Sequence, residues 1–186
     1  MYLPKRQLNR FNKHDYSLPG YYYVTICSKD REYIFTVNGN DQVETGLAPV
    51  CRFELSKLGQ IIDHQWNDIK KRYNHVNLDK YVIMPNHIHG IIIINKRTGA
   101  SPIPTLSDII GSFKSLCSNE YLKYIKDNDL DLSSRIWQRS FYDQIIMDDK
   151  TLANKRKYIK TNPANWMKDE ENINNQAIHP TGKPGG

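Results

Sequence analysis

The stretch Val76-Asn-Leu-Asp-Lys-Tyr-Val-Ile-Met84-Pro85-Asn86-His87-Ile-His89-Gly90-Ile-Ile-Ile-Ile-Asn95 decides the fold. Two runs rich in β-branched residues, Val76 to Met84 and His87 to Asn95, predict strands. They are joined by Pro85-Asn86 alone, and so short a join permits a hairpin but not a parallel crossover. The second run also carries chemistry. Residues i and i+2 of a strand point to the same face, so His87 and His89 project side by side while Ile88 turns to the core. Two adjacent imidazoles form a ready pair of metal ligands. Gly90 then leaves room for a ligand or backbone to approach. Two histidines on a half-exposed strand are the plainer alternative. His14, His64, His75 and His179 could complete a metal set, but no spacing recommends any of them.

Outward from this hairpin, Tyr21-Tyr-Tyr-Val-Thr-Ile-Cys27 and Phe141 to Met147 predict further strands, and residues 36–50 a loop or loose hairpin. Leu58, Ile62, Trp66 and Ile69 fall on one helical face behind a Ser56 N-cap, and Lys70-Lys-Arg72 suits that helix's C-terminus. A second helix starts near Thr105, with Asp108 in capping-box spacing and Ile109, Phe113, Leu116 and Tyr121 as its apolar stripe. A last helix, capped by Asp148 or Asp149, ends near Asn162 because Pro163 disfavours helical geometry before it. The expected class is α+β: an antiparallel sheet with helices packed on it, covering one face. One domain spans 1–167, with a basic arm over about 1–20 and a polar, disordered tail over 168–186.

The chain has 186 residues, 39% of them hydrophobic and 25% charged, which is enough to pack one core. Its longest apolar run, Ile91–Ile94, is far short of the ~20 residues needed to span a bilayer, and no secretory signal is visible. Cys27, Cys51 and Cys117 fit no CxxC pattern and suggest reduced thiols in a cytoplasmic, soluble protein. The net charge of +6 is concentrated: residues 150–168 hold six cations and no acid, whereas 169–186 hold three acids and one lysine. A solvated helix face explains such a run as readily as a polyanion partner.

Within that run, Lys155-Arg-Lys-Tyr158-Ile-Lys-Thr-Asn162-Pro163 places Tyr158 and Asn162 one helical turn apart. Leu152 and Ile159 mark the buried stripe about 100° away, so Tyr158 need not be core.

Taken in order, Tyr21–Cys27, Met84-Pro-Asn-His-Ile-His-Gly90, Phe113-Lys-Ser115, Trp137-Gln-Arg-Ser-Phe-Tyr-Asp143 and Tyr158-Ile-Lys-Thr-Asn-Pro163 resemble the HUH single-tyrosine transposases, above all the REP-associated tyrosine transposases. The resemblance runs from about Tyr21 to Trp166. It implies a ferredoxin-like HUH core, and a transposase that cleaves and rejoins single-stranded DNA near palindromic hairpins through a 5′-phosphotyrosine. It further implies Tyr158 as nucleophile, and His87, His89 and Asn162 as ligands of a divalent ion, Mg²⁺ or Mn²⁺. Lys155, Arg156, Lys157 and Lys160 beside the nucleophile, Lys96 and Arg97 after the histidine strand, and Lys114 and Arg139 are expected phosphate contacts. Tyr21, Tyr22 and Tyr23 either stack bases or fill the sheet. The expected partner is hairpin DNA, with no membrane or small-molecule substrate, for a monomer or homodimer associated with the nucleoid. A catalytically silent hairpin binder of the same fold is the alternative.

Overall fold

The computed structural model describes residues 18–37, 42–45, 47–51, 53–96 and 104–173, with the backbone alone over 42–51. Among the described residues, eight strands and four α-helices follow in chain order. They are β1 (Gly20–Cys27), β2 (Thr36–Val37), β3 (Gln42–Thr45), β4 (Leu47–Cys51), β5 (Glu54–Leu55), α1 (Lys57–Asn67), α2 (Ile69–Arg72), β6 (Val76–Ile83), β7 (His87–Ile94), α3 (Leu106–Asp127), β8 (Tyr142–Ile146) and α4 (Asp149–Thr161). Short 3-10 turns occupy Lys29–Arg31 and Pro163–Lys168.

The main sheet has the order β6-β7-β1-β8, and every neighbouring pair is antiparallel. Read through the core elements, the chain runs β1-α1-β6-β7-α3-β8, the β-α-β-β-α-β connectivity of a ferredoxin-like sheet. α1, α3 and α4 begin where the sequence predicts, whereas the helix expected to run to Arg72 breaks at Asp68 and leaves α2 as a separate turn. The Ser56 hydroxyl accepts from Gly59 N, Thr105 and Asp108 form a reciprocal capping box, and Asp148, not Asp149, accepts from Thr151 N at the start of α4.

The expectation of helices on one face is corrected. Ile88 and Ile92 of β7 join Tyr22, Val24 and Ile26 of β1 beneath α1 and α3, in a core that includes Trp66 and Phe113. The opposite face, with Tyr23, Ile91 and Ile146, is covered by Leu152 and Ile159 of α4. Four consecutive isoleucines bury both faces of β7, and a strand buried on both faces needs a layer on each.

Gly90 also serves another purpose than the one expected. It lies on the α1 face, where a β-carbon would sit 2.7 Å from Cη2 of Trp66, so it admits the indole and not a ligand. Tyr22 and Tyr23 are buried and fill the sheet.

The largest departure is at the C-terminus. Asn162 keeps helical angles (φ −57°, ψ −44°) despite the proline after it, and the chain tightens into the 3-10 turn. That turn brings residues 169–173 back against the sheet. Asp169, Glu171 and Asn172 are almost fully buried, so a disordered tail starting at 168 is corrected for residues 168–173. The reason is polar satisfaction: each of these side chains finds a hydrogen-bond partner contributed by the fold.

Candidate active site

His87 and His89 stand in register with Cys27 and Thr25 of the adjacent β1, on the face covered by α4. Their ring centroids are 4.3 Å apart and both rings are buried. Each is oriented through Nδ1. Asn86 donates through Nδ2 to the carbonyl oxygens of Arg31 and Glu171, which turns its Oδ1 to His87 Nδ1 at 2.9 Å. The His87 proton therefore sits on Nδ1, leaving Nε2 as the lone-pair nitrogen. His89 Nδ1 meets the hydroxyls of Tyr23 at 2.7 Å and Thr25 at 2.9 Å, which turns its Nε2 toward the same centre.

From α4, Tyr158 and Asn162 reach the same place. Tyr158 is 41% exposed, and its ring centroid lies 5.2 Å from that of His89. Its hydroxyl donates to Asp169 Oδ2 at 3.2 Å, and Asn162 Nδ2 donates to the same oxygen at 2.6 Å. His89 Nε2 is 3.9 Å from that oxygen. The cavity holding Tyr23, Thr25, His89, Lys155 and Tyr158 measures about 500 Å³.

Two features fit this centre to a divalent cation. A nitrogen each from His87 and His89 and an oxygen of Asp169 lie within 4.8 Å of one another. His89 Nε2 and Asn162 Oδ1 are buried with no hydrogen-bond partner among the described residues, and buried polar atoms seldom stay so. Two imidazoles, a carboxylate and an amide oxygen are all ligand types that divalent cations accept.

Electrostatics tie the cluster together. Burial pushes the Tyr158 phenol upward, and the Asp169 charge and hydrogen bond push it further. Burial also raises Tyr23. For Asp169, burial acts upward but is outweighed by the neighbouring His89, His87 and Asn162, which hold the carboxyl well below the usual range. Burial lowers Lys155, whose ammonium lies 4.1 Å from the centre of the Tyr23 ring.

Asp169 was not legible as part of the site, and neither were its supports. Glu171 pairs with Arg31 at 2.8 Å and accepts from Cys27 Sγ, and its backbone N–H donates to Asp169 Oδ1 at 2.7 Å. Tyr33 donates to Asn172 at 2.7 Å. Asn86, inside the Met84–Gly90 motif, was the one missed residue with a local signal.

The structure thus gathers His87, His89, Tyr158 and Asn162 into one cluster, and His89, Tyr158 and Lys155 line the cavity beside it. Other expected phosphate contacts lie elsewhere. Arg156 makes a two-pronged bond to Asp79 of β6, so its charge fastens α4 to the sheet. Lys114 donates to the carbonyl oxygens of Gln138 and Arg139, fastening α3 to the loop before β8. Lys96 is exposed just past the opposite end of β7, roughly 23 Å along the strand from His89. Lys157 and Lys160 are exposed on α4. Arg139 lines a separate cleft. Arg97 and residues 1–17 of the basic arm lie outside the described residues, as do His14 and His179. His64 faces Asp68 at 3.6 Å, away from this cluster.

The family profile described as "Transposase IS200 like" matches residues 17–162, well over half of the chain. The chain belongs to the IS200-like transposase family. A Haemophilus influenzae protein of uncharacterized function is 30% identical over 181 residues, covering 89% of this chain and 92% of its own. A second Haemophilus influenzae protein, named as a candidate REP-associated tyrosine transposase, is 23% identical over 151 residues, covering 81% of this chain and 74% of its own. Among solved structures, a REP-associated tyrosine transposase bound to a REP hairpin aligns at 17% identity and a TM-score of 0.46, over 93% of this chain and 90% of that one. A candidate transposase from Deinococcus radiodurans aligns at 18% identity and a TM-score of 0.43, over 80% and 94%. Among the described residues of this IS200-like transposase, no helix is long and apolar enough to cross a membrane.

Proposed function

We propose that this IS200-like transposase cleaves and rejoins single-stranded DNA beside a palindromic hairpin, with Tyr158 as nucleophile. The observation that carries the reading is convergence on one carboxylate oxygen. The Tyr158 hydroxyl, the Asn162 amide and the His89 ring all meet at Asp169 Oδ2, beside His87 and next to a cavity lined by His89 and Tyr158. REP association in the name of a relative that matches 81% of this chain supports a hairpin as the DNA element.

The phosphodiester is held with its phosphorus facing Tyr158 Oη. The new bond joins Oη to phosphorus, and the bond from phosphorus to the 3′-oxygen breaks. The departing oxygen keeps the electron pair and is protonated to a 3′-hydroxyl, leaving the 5′-phosphate on Tyr158. The phenolic proton is released to solvent as the bond forms, because Asp169, held well below the usual carboxylate range, is too weak a base to keep it. A phenol, ordinarily near pKa 10, leaves more readily than an alkyl hydroxyl, so a 3′-hydroxyl can later reverse the step without an external energy source. His87, His89, Asp169 and Asn162 would hold a divalent ion, which when bound polarises a phosphoryl oxygen and offsets the charge of the transition state. Lys155, exposed to the same cavity, neutralises a non-bridging oxygen. Action on chromosomal DNA would place the protein at the nucleoid.

The deciding experiment incubates the protein with Mn²⁺ or Mg²⁺ and a labelled single-stranded hairpin taken from repeats flanking the gene. A protein–DNA adduct stable to denaturant is expected, and it is lost in Tyr158→Phe while hairpin affinity is kept. His87→Ala should lose both the adduct and Mn²⁺ binding measured by calorimetry. Wild type that binds the hairpin without ever forming an adduct overturns the chemistry. That outcome favours the silent hairpin binder, a reading supported by the grip of Asp169 on both Tyr158 and Asn162.

A further inference from the structure

Beyond Cys27, β1 runs into the Lys29–Arg31 turn, which faces the segment Arg135–Arg139 across a cleft of about 510 Å³. Lys29, Arg31, Arg135 and Arg139 line this cleft, with Asp30 as the one acid. Arg31 is engaged by Glu171, and Lys29 lies 3.6 Å from Asp30. Arg135 and Arg139 are exposed and form no ion pair among the described residues. Ile136 and Trp137 give the cleft an apolar floor.

The walls are held rigidly. Ser28 bridges to Trp137, Gln138 N donates to Cys27 O at 3.0 Å, and Lys29 N donates to Ile136 O at 3.0 Å. The Trp137 indole donates to Lys114 O, while the Lys114 ammonium fastens the carbonyls of Gln138 and Arg139. Asp30 and Arg31 hold left-handed backbone angles, φ 51° and 58°. Two non-glycine residues in that region cost on the order of 1 kcal/mol each, and persist where surrounding bonds over-determine them.

The cleft continues the strand that supports the histidines. Thr25 contacts His89, Cys27 is in register with His87, and Lys29 is four residues beyond Thr25, about 13 Å along the chain. We propose that this cleft binds the single-stranded flank of the DNA next to the cleaved phosphate, with Arg135 and Arg139 on its phosphates. The proposal rests on the transposase reading above. Exposed arginines over an apolar floor suit phosphodiesters with a base lying against the ring. A cleft of this volume matches a nucleotide-sized ligand, not a duplex.

The test compares fluorescence anisotropy of a labelled hairpin carrying a single-stranded flank with that of the same hairpin blunt-ended, for wild type and Arg135→Ala/Arg139→Ala. The double variant should bind the flanked hairpin roughly tenfold more weakly, with its log–log salt slope shallower by about 1.4 for two lost phosphate contacts. Blunt-hairpin affinity and the thermal midpoint should match wild type. Equal affinity and slope on the flanked hairpin overturn the proposal, as does an equal loss on both hairpins, which would mean duplex contact. Flank binding by Tyr158→Phe that still depends on Arg135 and Arg139 supports the cleft even if the tyrosine chemistry fails.

Discussion

The phenolic oxygen of Tyr158 lies 3.2 Å from Oδ2 of Asp169, so the proposed nucleophile donates to a residue eleven positions further along the chain. Burial raises the phenol, and the adjacent carboxylate raises it further by disfavouring a second negative charge. In metal-free protein, Asp169→Asn should therefore move Tyr158 ionisation downward while leaving it above the ordinary value of about 10, because burial persists. Ultraviolet difference titration, with Tyr158→Phe in the same background as reference, isolates this one phenol. An unchanged midpoint would show that the carboxylate does not control it.

The cations of α4 should separate into two kinds. Arg156→Ala removes a two-pronged bond to Asp79 and should cost about 1 kcal/mol in urea unfolding, while leaving the salt dependence of DNA binding as it is. Lys157→Ala/Lys160→Ala should do the reverse, reducing the salt slope by about 1.4 at unchanged stability. A slope lost with Arg156 and kept without the lysines would reverse the assignment.

Gly90 is predicted to be intolerant for a packing reason. In Gly90→Ala the new methyl meets the Trp66 ring, which is itself wedged against Phe113 and Tyr81. Overpacking of this kind costs about 1–3 kcal/mol, or roughly 2–10 °C in thermal midpoint for a chain of this size. The midpoint of a urea titration reads it directly, and a variant as stable as wild type would mean that the indole moves aside freely.

Lys114 gives a pH signature. Burial pushes its ammonium down to about 8, against about 10.4 in the unfolded chain. Between those values the unfolded state binds more protons, so stability rises with pH through this window. Lys155, also lowered by burial, acts with the same sign, so the difference between wild type and Lys114→Met carries the test. Thermal midpoints should climb less steeply in the variant from about pH 8 to 10. Above that, the raised phenols of Tyr23, Tyr81 and Tyr121 make the folded state the stronger proton binder, and both proteins should lose stability. Parallel curves throughout the window would contradict the assignment to Lys114.

Much of this architecture could be read locally. Richness in β-branched residues placed β6 and β7, the Pro-Asn join made them antiparallel, and Ser56, Thr105 and Asp148 started their helices. The four isoleucines of β7 already implied a second helical layer, a signal that the expectation of one covered face passed over. The intramolecular partners of Arg156 and Lys114 were not legible, because charge type is visible in sequence and its partner is not. Asp79 is 77 residues from Arg156, and the carbonyls gripped by Lys114 carry no side-chain mark at all.

By itself, the sequence determined that His87 and His89 share a strand face and that Tyr158 and Asn162 share a helix face, since both follow from fixed backbone periods. Only the tertiary structure decided that these two faces meet, that Tyr23 orients His89 across 66 residues, and that Asp169 closes the cluster. Polar side chains that find partners so far along the chain obey no repeat, because the geometry that pairs them exists only once the sheet and its two helical layers have packed.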